Sequence, residues 1–237
     1  LVSYDRITGK PAWSDGGSRA GYSSPCIVEL HGDPQILIFN QDGLAAHSPA
    51  DGSIVWEFDW SVPYPHVSVP LTLPNNRILL SLGYGKGSKM LRVNFKEGKF
   101  SAVELWKSNR MKAKFTNLIF HNDHIFGLDD GMFACIDIER GRRKWKEGRY
   151  GHGQILLHGD HILVMAENGD VVLLEATPRG LAAFAQQGKA QEALVDKLLA
   201  DTELMYQMVV ADGAGRDRPT RPPPIMITGP PASLQSR

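Results

Sequence analysis

A short motif recurs along this chain at a spacing of about forty residues. Its first copy runs from Asp5 to Trp13 and has a Gly four residues after the Asp and a Trp four residues after the Gly. The glycines of the successive copies, separated by 43, 46, 43 and 39 residues, are Gly9, Gly52, Gly98, Gly141 and Gly180. A fixed period in this range is the signature of a repeat architecture, so repeated structural units are predicted.

An aromatic residue closes each copy of the motif: Trp13, Trp56, Trp106, Trp145 and Phe184. Trp106 follows its glycine only after four extra residues, which indicates an insertion in the third copy. We predict that the glycine takes a positive φ in the turn that enters the outermost strand of a unit. The aromatic side chain at the end of that strand is predicted to seal one unit against the next.

Short apolar runs rich in β-branched and aromatic residues lie between the motif copies. In the first full unit these runs are residues 26–30, 36–39, 44–47 and 54–58, and Asp-Gly or Gly-Asp pairs separate them. Such pairs accept the positive φ of tight hairpin turns. Four antiparallel strands in about forty residues are typical of a propeller blade. The predicted fold is therefore all-β, a partial β-propeller of about four four-stranded blades plus one leading strand.

The pattern changes near residue 186. Residues 187–212 have helical periodicity and predict an amphipathic helical appendage. Residues 213–237 are rich in proline and predict a disordered tail. The predicted domains are thus a propeller at 1–186, the appendage and the tail, and a mis-joined reading frame is an alternative origin for the last two. A start within a repeat predicts that the remaining propeller blades are absent from this chain.

The spacing Ala-x-Asp-x-x-Thr-Gly-x-x-x-Trp resembles the tryptophan-docking repeat of propellers similar to the pyrroloquinoline-quinone (PQQ) dehydrogenases. That superfamily also contains the lipoprotein scaffold of the bacterial outer-membrane protein assembly machine. The copies that carry the resemblance begin at Ser3, Ala46 and Cys135. The resemblance covers residues 1–186 and implies a quinoprotein-like, WD40/YVTN-like repeat protein of bacteria, located in the periplasm or outside the cell.

The sequence favours a non-catalytic propeller module that serves as a scaffold for a protein or a small ligand. Quinone-dependent enzymes that share the resemblance hold their cofactor against a disulfide of adjacent cysteines, whereas Cys26 and Cys135 lie 109 residues apart. No cofactor, catalytic residue or metal is therefore predicted. One alternative is a fragment of a PQQ dehydrogenase whose cofactor site lies in missing blades, and another is a regulatory sensor module attached to a further domain.

Composition narrows the range of partners. The chain has 26 basic and 26 acidic residues, so it lacks the electrostatic footprint of a nucleic-acid-binding protein. The absence of any long apolar run predicts no membrane span. Both cysteines lie in apolar runs and are predicted to be buried free thiols. The basic run from Arg142 to Lys146 is predicted to be a solvated strand rim.

Two histidine pairs resemble metal ligands but flank two-residue hairpin turns, namely His121 with His124 and His158 with His161. A zinc site needs three or four converging ligands, so hairpin turns are the preferred interpretation. The Gly83–Ser88 run resembles a phosphate loop in composition only. It joins two predicted strands and lacks the helix N-terminus on which such a loop depends.

Two loops between units are candidate binding loops, because loops on rigid scaffolds often carry function. One contains Tyr64 and His66, and the other contains Arg149, Tyr150 and His152 between two glycines. The hypothesis is that both contribute to a ligand or partner surface. The alternative is a pair of glycine-permitted crossings between blades in which the histidines are satisfied internally.

Overall fold

The computed structural model describes residues 1–180, and every regular element in that range is a β-strand. The strands β1 (Val2–Tyr4) and β2 (Pro11–Ser14) form a leading antiparallel hairpin. Four antiparallel sheets follow, each built from strands that are consecutive in the chain. This is the arrangement of propeller blades that the repeat period predicts, and the all-β prediction is confirmed.

Three blades have four strands, and the fourth has three within the described residues. The first blade comprises β3 (Cys26–Leu30), β4 (Asp33–Asn40), β5 (Gly43–His47) and β6 (Ile54–Asp59). The second comprises β7 (Leu71–Leu73), β8 (Arg77–Leu82), β9 (Gly87–Lys96) and β10 (Lys99–Ser108). The third comprises β11 (Ile119–His121), β12 (His124–Asp129), β13 (Met132–Asp137) and β14 (Arg143–Arg149). The fourth comprises β15 (Gln154–His158), β16 (His161–Met165) and β17 (Val171–Glu175).

The prediction of one leading strand is wrong, because two strands precede the first blade. Val2 pairs with Ser14, and Ser3 pairs with Trp13. The turn that begins at Asp5 folds the chain back, so the short segment before it has a ready partner strand. Phe184, the helical appendage at 187–212 and the tail at 213–237 lie outside the described residues.

The repeated motif folds as a tight turn closed by a backbone hydrogen bond across four residues. The glycine N–H donates to the carbonyl at the motif start in three copies: Gly9 to Asp5 (2.8 Å), Gly52 to Ser48 (2.9 Å) and Gly141 to Asp137 (3.1 Å). All three glycines have φ between 62° and 80°, a region costly for residues with a Cβ. In the first copy, Asp5 Oδ1 accepts the Thr8 amide and hydroxyl, each at 2.7 Å. These bonds lower the pKa of the Asp5 carboxyl, the amide bond having the larger effect.

In two pairs of successive motifs, the tryptophan that ends one motif lies against the glycine of the next. A Cβ on Gly52 would lie 2.3 Å from the Trp13 ring, and a Cβ on Gly141 would lie 2.6 Å from the Trp106 ring. The indole N–H then donates to the carbonyl three residues before the next glycine, in the pairs Trp13 to Pro49 (3.1 Å), Trp106 to Ile138 (3.1 Å) and Trp145 to Thr177 (3.0 Å). Glycine is needed at this contact both for its positive φ and for its missing side chain.

Trp56 departs from this arrangement. Its indole N–H donates to Gln35 Oε1 at 2.7 Å within its own blade. At the equivalent turn of the second blade, no atom lies within 4 Å of the Cβ position of Gly98. The insertion predicted in this copy accounts for the difference, because β9 and β10 have ten residues each and carry Gly98 away from Trp56.

Each junction between consecutive blades has its own apolar core. Neighbouring residues on one strand serve different cores, since side chains alternate between the faces of a strand. In β8, Ile78 and Leu80 join the core shared with the first blade, whereas Leu79 joins the core shared with the third. In β12, Ile125 faces the second blade and Phe126 faces the fourth. Central strands are therefore apolar on both faces.

We predict that Gly141→Ala destabilises the fold more than Gly98→Ala. Both glycines have positive φ, 62° and 76°, so backbone strain of about 1 kcal/mol is common to the two variants. Only the new methyl at residue 141 collides with the Trp106 ring, which adds about 1 to 3 kcal/mol of overpacking. Urea unfolding monitored by tryptophan fluorescence measures both losses. Equal losses in the two variants would contradict tryptophan docking.

Candidate binding surface

The loops that connect blades all pack in one way. Each lies against the turn between the second and third strands of the blade that it enters. Backbone amides of those turns donate to carbonyls of the loops in the first, third and fourth blades: Gln41 to Arg19 (3.0 Å), Asp130 to Lys112 (3.2 Å) and Glu167 to Tyr150 (2.9 Å). Loops that are far apart in sequence are thereby held at equivalent places on successive blades.

Charged side chains reinforce these attachments. Arg19 binds Asp42 through both Nε and Nη2, at 3.0 and 2.6 Å. The guanidinium hydrogen bonds lower the pKa of the Asp42 carboxyl. In the fourth blade the backbone N–H of His152 donates to Glu167 Oε2 at 3.0 Å. Surface pairs such as Arg19 with Asp42 contribute little stability but fix the position of the loop.

The strongest attachment involves Asp129, at the end of β12, whose side chain is fully buried. One carboxylate oxygen pairs with Lys112 in the loop that enters the third blade, and the other pairs with Lys146 of β14 at 2.6 Å. Lys112 also lies 3.3 Å from the half-exposed carboxylate of Asp130. A buried carboxylate needs such partners, because desolvating a charge without compensation costs several kcal/mol.

In the second blade, aromatic stacking makes the equivalent attachment. Tyr64, in the loop that enters this blade, stacks on Tyr84 of the β8–β9 turn with ring centroids 5.2 Å apart and planes 15° apart. Lys86 Nζ lies 5.0 Å from the centre of the Tyr64 ring, and Lys114 Nζ lies 4.8 Å from that of Tyr84. Both distances are within the range of cation–π attraction.

The stack continues into the next two loops. Lys114 Nζ also lies 5.8 Å from the Phe115 ring, and the His152 ring contacts Phe115 edge-on at 6.3 Å. Gln154 Nε2 donates to the Phe115 carbonyl at 2.7 Å and ties this loop to the fourth blade. We call Tyr64, Tyr84, Phe115 and His152, with Lys86 and Lys114, the aromatic row. It joins three inter-blade loops and one turn into a single surface.

Two members of the aromatic row have strained backbones. Tyr84 and Phe115 have φ of 56° and 57°, the left-handed region that bulky residues avoid. Such strain costs about 1 to 3 kcal/mol for each residue and concentrates at functional sites. Phe115 nevertheless remains 44% exposed, so burial of its ring recovers little of this cost.

The predicted loop residues have different environments. Tyr64 and His152 belong to the aromatic row. Arg149 is exposed at the end of β14. Tyr150 is half-buried and points its edge at Phe133, with ring centroids 6.3 Å apart, and burial raises the pKa of its phenol.

His66 is completely buried and contacts the Phe39 ring edge-on, with centroids 4.4 Å apart. Burial lowers the pKa of its imidazole, which favours the neutral form. Its side chain offers no surface to a partner, and neither ring nitrogen has a hydrogen-bond partner within the described residues. The sequence hypothesis missed Tyr84, Lys86, Lys114 and Phe115. In the sequence, the glycines around Tyr84 and Lys86 indicate only a composition similar to that of a phosphate loop.

The cysteines are both free thiols. Cys135 is fully buried, and burial raises its pKa to about 12. Cys26 is only half-buried, which corrects the prediction that it is buried, and its pKa is also raised by burial. A thiol with a raised pKa forms little of the reactive thiolate at neutral pH.

The histidines of the hairpin turns have local partners. His121 Nε2 lies 2.8 Å from Asp160 Oδ1, which links the third and fourth blades, and His124 Nδ1 lies 2.6 Å from the Asn122 carbonyl. Within residues 1–180, no three His, Cys, Asp or Glu side chains cluster closely enough to hold a metal ion. That part of the chain also contains no helix of the length and apolarity needed to span a membrane.

Comparison with known proteins relates this architecture to one protein family and to two solved structures. A family model described as outer membrane protein assembly factor BamB matches residues 1–178. No curated protein matches the sequence significantly. The crystal structure of BamB from Moraxella catarrhalis is similar at 15% identity and a TM-score of 0.54, over 76% of this chain and 53% of that one. The computationally designed Ika4 protein is similar at 14% identity and a TM-score of 0.55, over 72% of this chain and 100% of that one.

Both likenesses to solved structures concern the fold alone, given their low identity. The present chain spans about half the length of the Moraxella catarrhalis protein, since 53% of that chain is covered. The family model, in contrast, matches most of this sequence and includes every strand described above.

We predict that Asp129→Asn costs about 2 to 3 kcal/mol of unfolding free energy, because it removes the buried carboxylate that pairs with two largely buried ammonium groups and leaves Lys112 only the half-exposed Asp130. The matched control is Asp130→Asn, which removes a half-exposed carboxylate from the same lysine and should cost less than about 1 kcal/mol. Urea titration of the two variants at pH 7 gives both values. Equal, small losses would show that Asp129 does not anchor the loop.

Proposed function

From the premise that this chain belongs to the family of the outer membrane protein assembly factor BamB, we propose that it is a non-catalytic scaffold whose aromatic row binds a protein partner. The family description names an assembly factor, and assembly depends on protein contacts. The same description supports a bacterial, periplasmic location as part of this proposal. The propeller at 1–186 is proposed to be the binding domain, and residues 187–212 and 213–237 to be an appendage and a tail.

The observation that carries this proposal is the continuity of the aromatic row across three blades. Interaction surfaces are enriched in aromatic residues and arginine, and binding energy concentrates in such anchors. Tyr64, Tyr84 and His152 are half-buried, whereas Phe115 is exposed, so the row presents ring edges and faces rather than a closed core. Loop attachments to the blades hold these rings in place before a partner arrives, which reduces the entropic cost of binding.

The charges on the row indicate the chemistry of the partner. Within the described part of the chain, neither Lys86 nor Lys114 has a carboxylate within 4.0 Å, and each ammonium group lies over an aromatic ring. A partner segment that carries carboxylates and apolar side chains would complement these ammonium groups and rings. We therefore propose an acidic segment with apolar side chains that crosses the row from blade to blade.

The motif residues have a structural role in this proposal. Gly9, Gly52, Gly141 and Gly180 with Trp13, Trp106 and Trp145 are proposed to seal blade junctions. Trp56 and Gly98 belong to the same set by sequence, although they do not touch through the shared geometry. These seals keep the loops in register, and none of these residues is proposed to contact the partner.

Site-specific photocrosslinking in living cells tests the proposal. A photoreactive phenylalanine analogue at Tyr64 or at Phe115 should capture one common protein, because both positions lie on the row. The control position is Phe95 on the hairpin of the second blade, which is also 44% exposed but lies outside the row. Adding Lys86→Glu with Lys114→Glu should reduce capture about tenfold or more, by electrostatic repulsion.

Capture of the same protein with equal yield at Phe95 would contradict the proposal. So would the capture of unrelated proteins at Tyr64 and Phe115, since one partner segment is proposed to cross both.

A further inference from the structure

A separate cleft of about 460 Å³ lies where the second blade meets the third, and arginines dominate its lining. Arg110 comes from the loop after β10. The other arginines come from the turn before β14 and from the start of that strand, where they flank Gly141: Arg140, Arg142 and Arg143. All four side chains belong to exposed residues, and the cleft is distinct from the aromatic row.

The two segments that form the cleft are fixed to each other. Ser108 Oγ donates to the Gly141 carbonyl at 2.7 Å and accepts the Arg110 backbone N–H at 3.2 Å. The adjacent indole of Trp106 donates to Ile138 at 3.1 Å. The backbones that carry the arginines are thus held in place by the docking of one blade on the next.

Nearby carboxylates are engaged elsewhere. Asp137 Oδ1 accepts the backbone N–H of Arg140 at 2.7 Å and so caps the turn. Glu139 pairs with Arg77 at 3.1 Å. Among residues 1–180, no carboxylate lies within 4.0 Å of any of the four guanidinium groups that line the cleft. Four like charges therefore converge without counterions from the described chain, and a bound anion would relieve their repulsion.

The repeat itself does not require this charge. The corresponding turns read Asp51-Gly52-Ser53 in the first blade and Glu97-Gly98-Lys99 in the second, whereas the third blade has Arg140-Gly141-Arg142. The arginines are therefore a local feature of one junction and not a by-product of the motif.

We infer that this cleft binds a phosphate-bearing ligand. Guanidinium groups match phosphate oxygens in pairs of hydrogen bonds, and several of them on two segments suit a group with more than one charged oxygen. A soluble phosphorylated molecule and a phospholipid headgroup share this chemistry. The inference stands on the cleft alone and does not depend on the partner proposed for the aromatic row.

Two probes distinguish a soluble phosphorylated ligand from a phospholipid headgroup. Isothermal titration calorimetry with inorganic pyrophosphate measures a soluble ligand. Co-sedimentation with phosphatidylcholine vesicles that contain phosphatidic acid, compared with phosphatidylcholine alone, measures a headgroup. The variant is Arg140→Gln with Arg142→Gln, and the matched control is Lys96→Gln with Lys99→Gln, which removes the same charge from the equivalent hairpin of the second blade.

The arginine variant should weaken binding of at least one probe about tenfold or more, because each lost charge-assisted contact is strong. The lysine control should weaken it less than about twofold, as expected for long-range charge alone. Weaker binding of pyrophosphate by the arginine variant indicates a soluble ligand, and weaker binding of the vesicles indicates a headgroup. Equal effects of the two variants, or no binding of either probe to the unmodified protein, would overturn the inference. Far-UV circular dichroism of both variants verifies that they fold.

Discussion

The contact between an indole ring and the glycine of the following repeat fixes how the leading hairpin meets the first blade and how the second blade meets the third. It requires a residue without a Cβ, because a methyl group on Gly52 or Gly141 would lie within 2.6 Å of the docked ring. It also requires that the indole N–H reach a carbonyl three residues upstream of that glycine, as Trp106 reaches Ile138. A ring held by packing on one side and by a hydrogen bond at its edge cannot slide along the neighbouring blade. The register is thus fixed at the outer strands of these two junctions.

The fixed register has consequences at the inter-blade loops and at the outer strands. At one end, the inter-blade loops pack on equivalent turns, so aromatic residues that are distant in sequence come within stacking distance. Tyr64 and Phe115 are separated by 51 positions, yet they belong to one chain of ring and ammonium contacts. At the outer strands, the docking of Trp106 brings Arg110 beside the arginines that flank Gly141. Both proposed binding sites therefore depend on blade junctions and not on single blades.

This arrangement includes local backbone strain and a buried charge. Left-handed Tyr84 and Phe115 and the buried carboxylate of Asp129 are each unfavourable in isolation. They persist because junction packing and paired lysines hold the loops in place. A scaffold that keeps its loops ordered before binding loses less conformational entropy when a partner arrives.

Much of the fold could be predicted from the sequence because propeller contacts are periodic. The Asp, Gly and Trp spacing marks each turn, and apolar runs such as 26–30 correspond to observed strands. The leading hairpin was missed because Val2–Tyr4 is too short to be recognised as a strand without its partner.

The binding surface was harder to predict. Tyr84 and Lys114 belong to no sequence motif. Their contact depends on the conformations of two separate connecting segments. His66 lies in the predicted loop, yet its side chain is buried and packs edge-on against Phe39 of the first blade. Loop residues gain their roles from neighbours on other blades, and a single sequence does not record those neighbours.

Hydrogen exchange of the indole N–H groups, followed by NMR on protein labelled with ¹⁵N-tryptophan, tests blade docking most directly. The chain has five tryptophans, so each indole signal can be assigned by substitution. Docking predicts that the indole N–H groups of Trp106 and Trp145 exchange far more slowly than a free indole, because opening them requires the junction to separate. Exchange of both groups at the rate of a free indole would contradict the docking of one blade on the next.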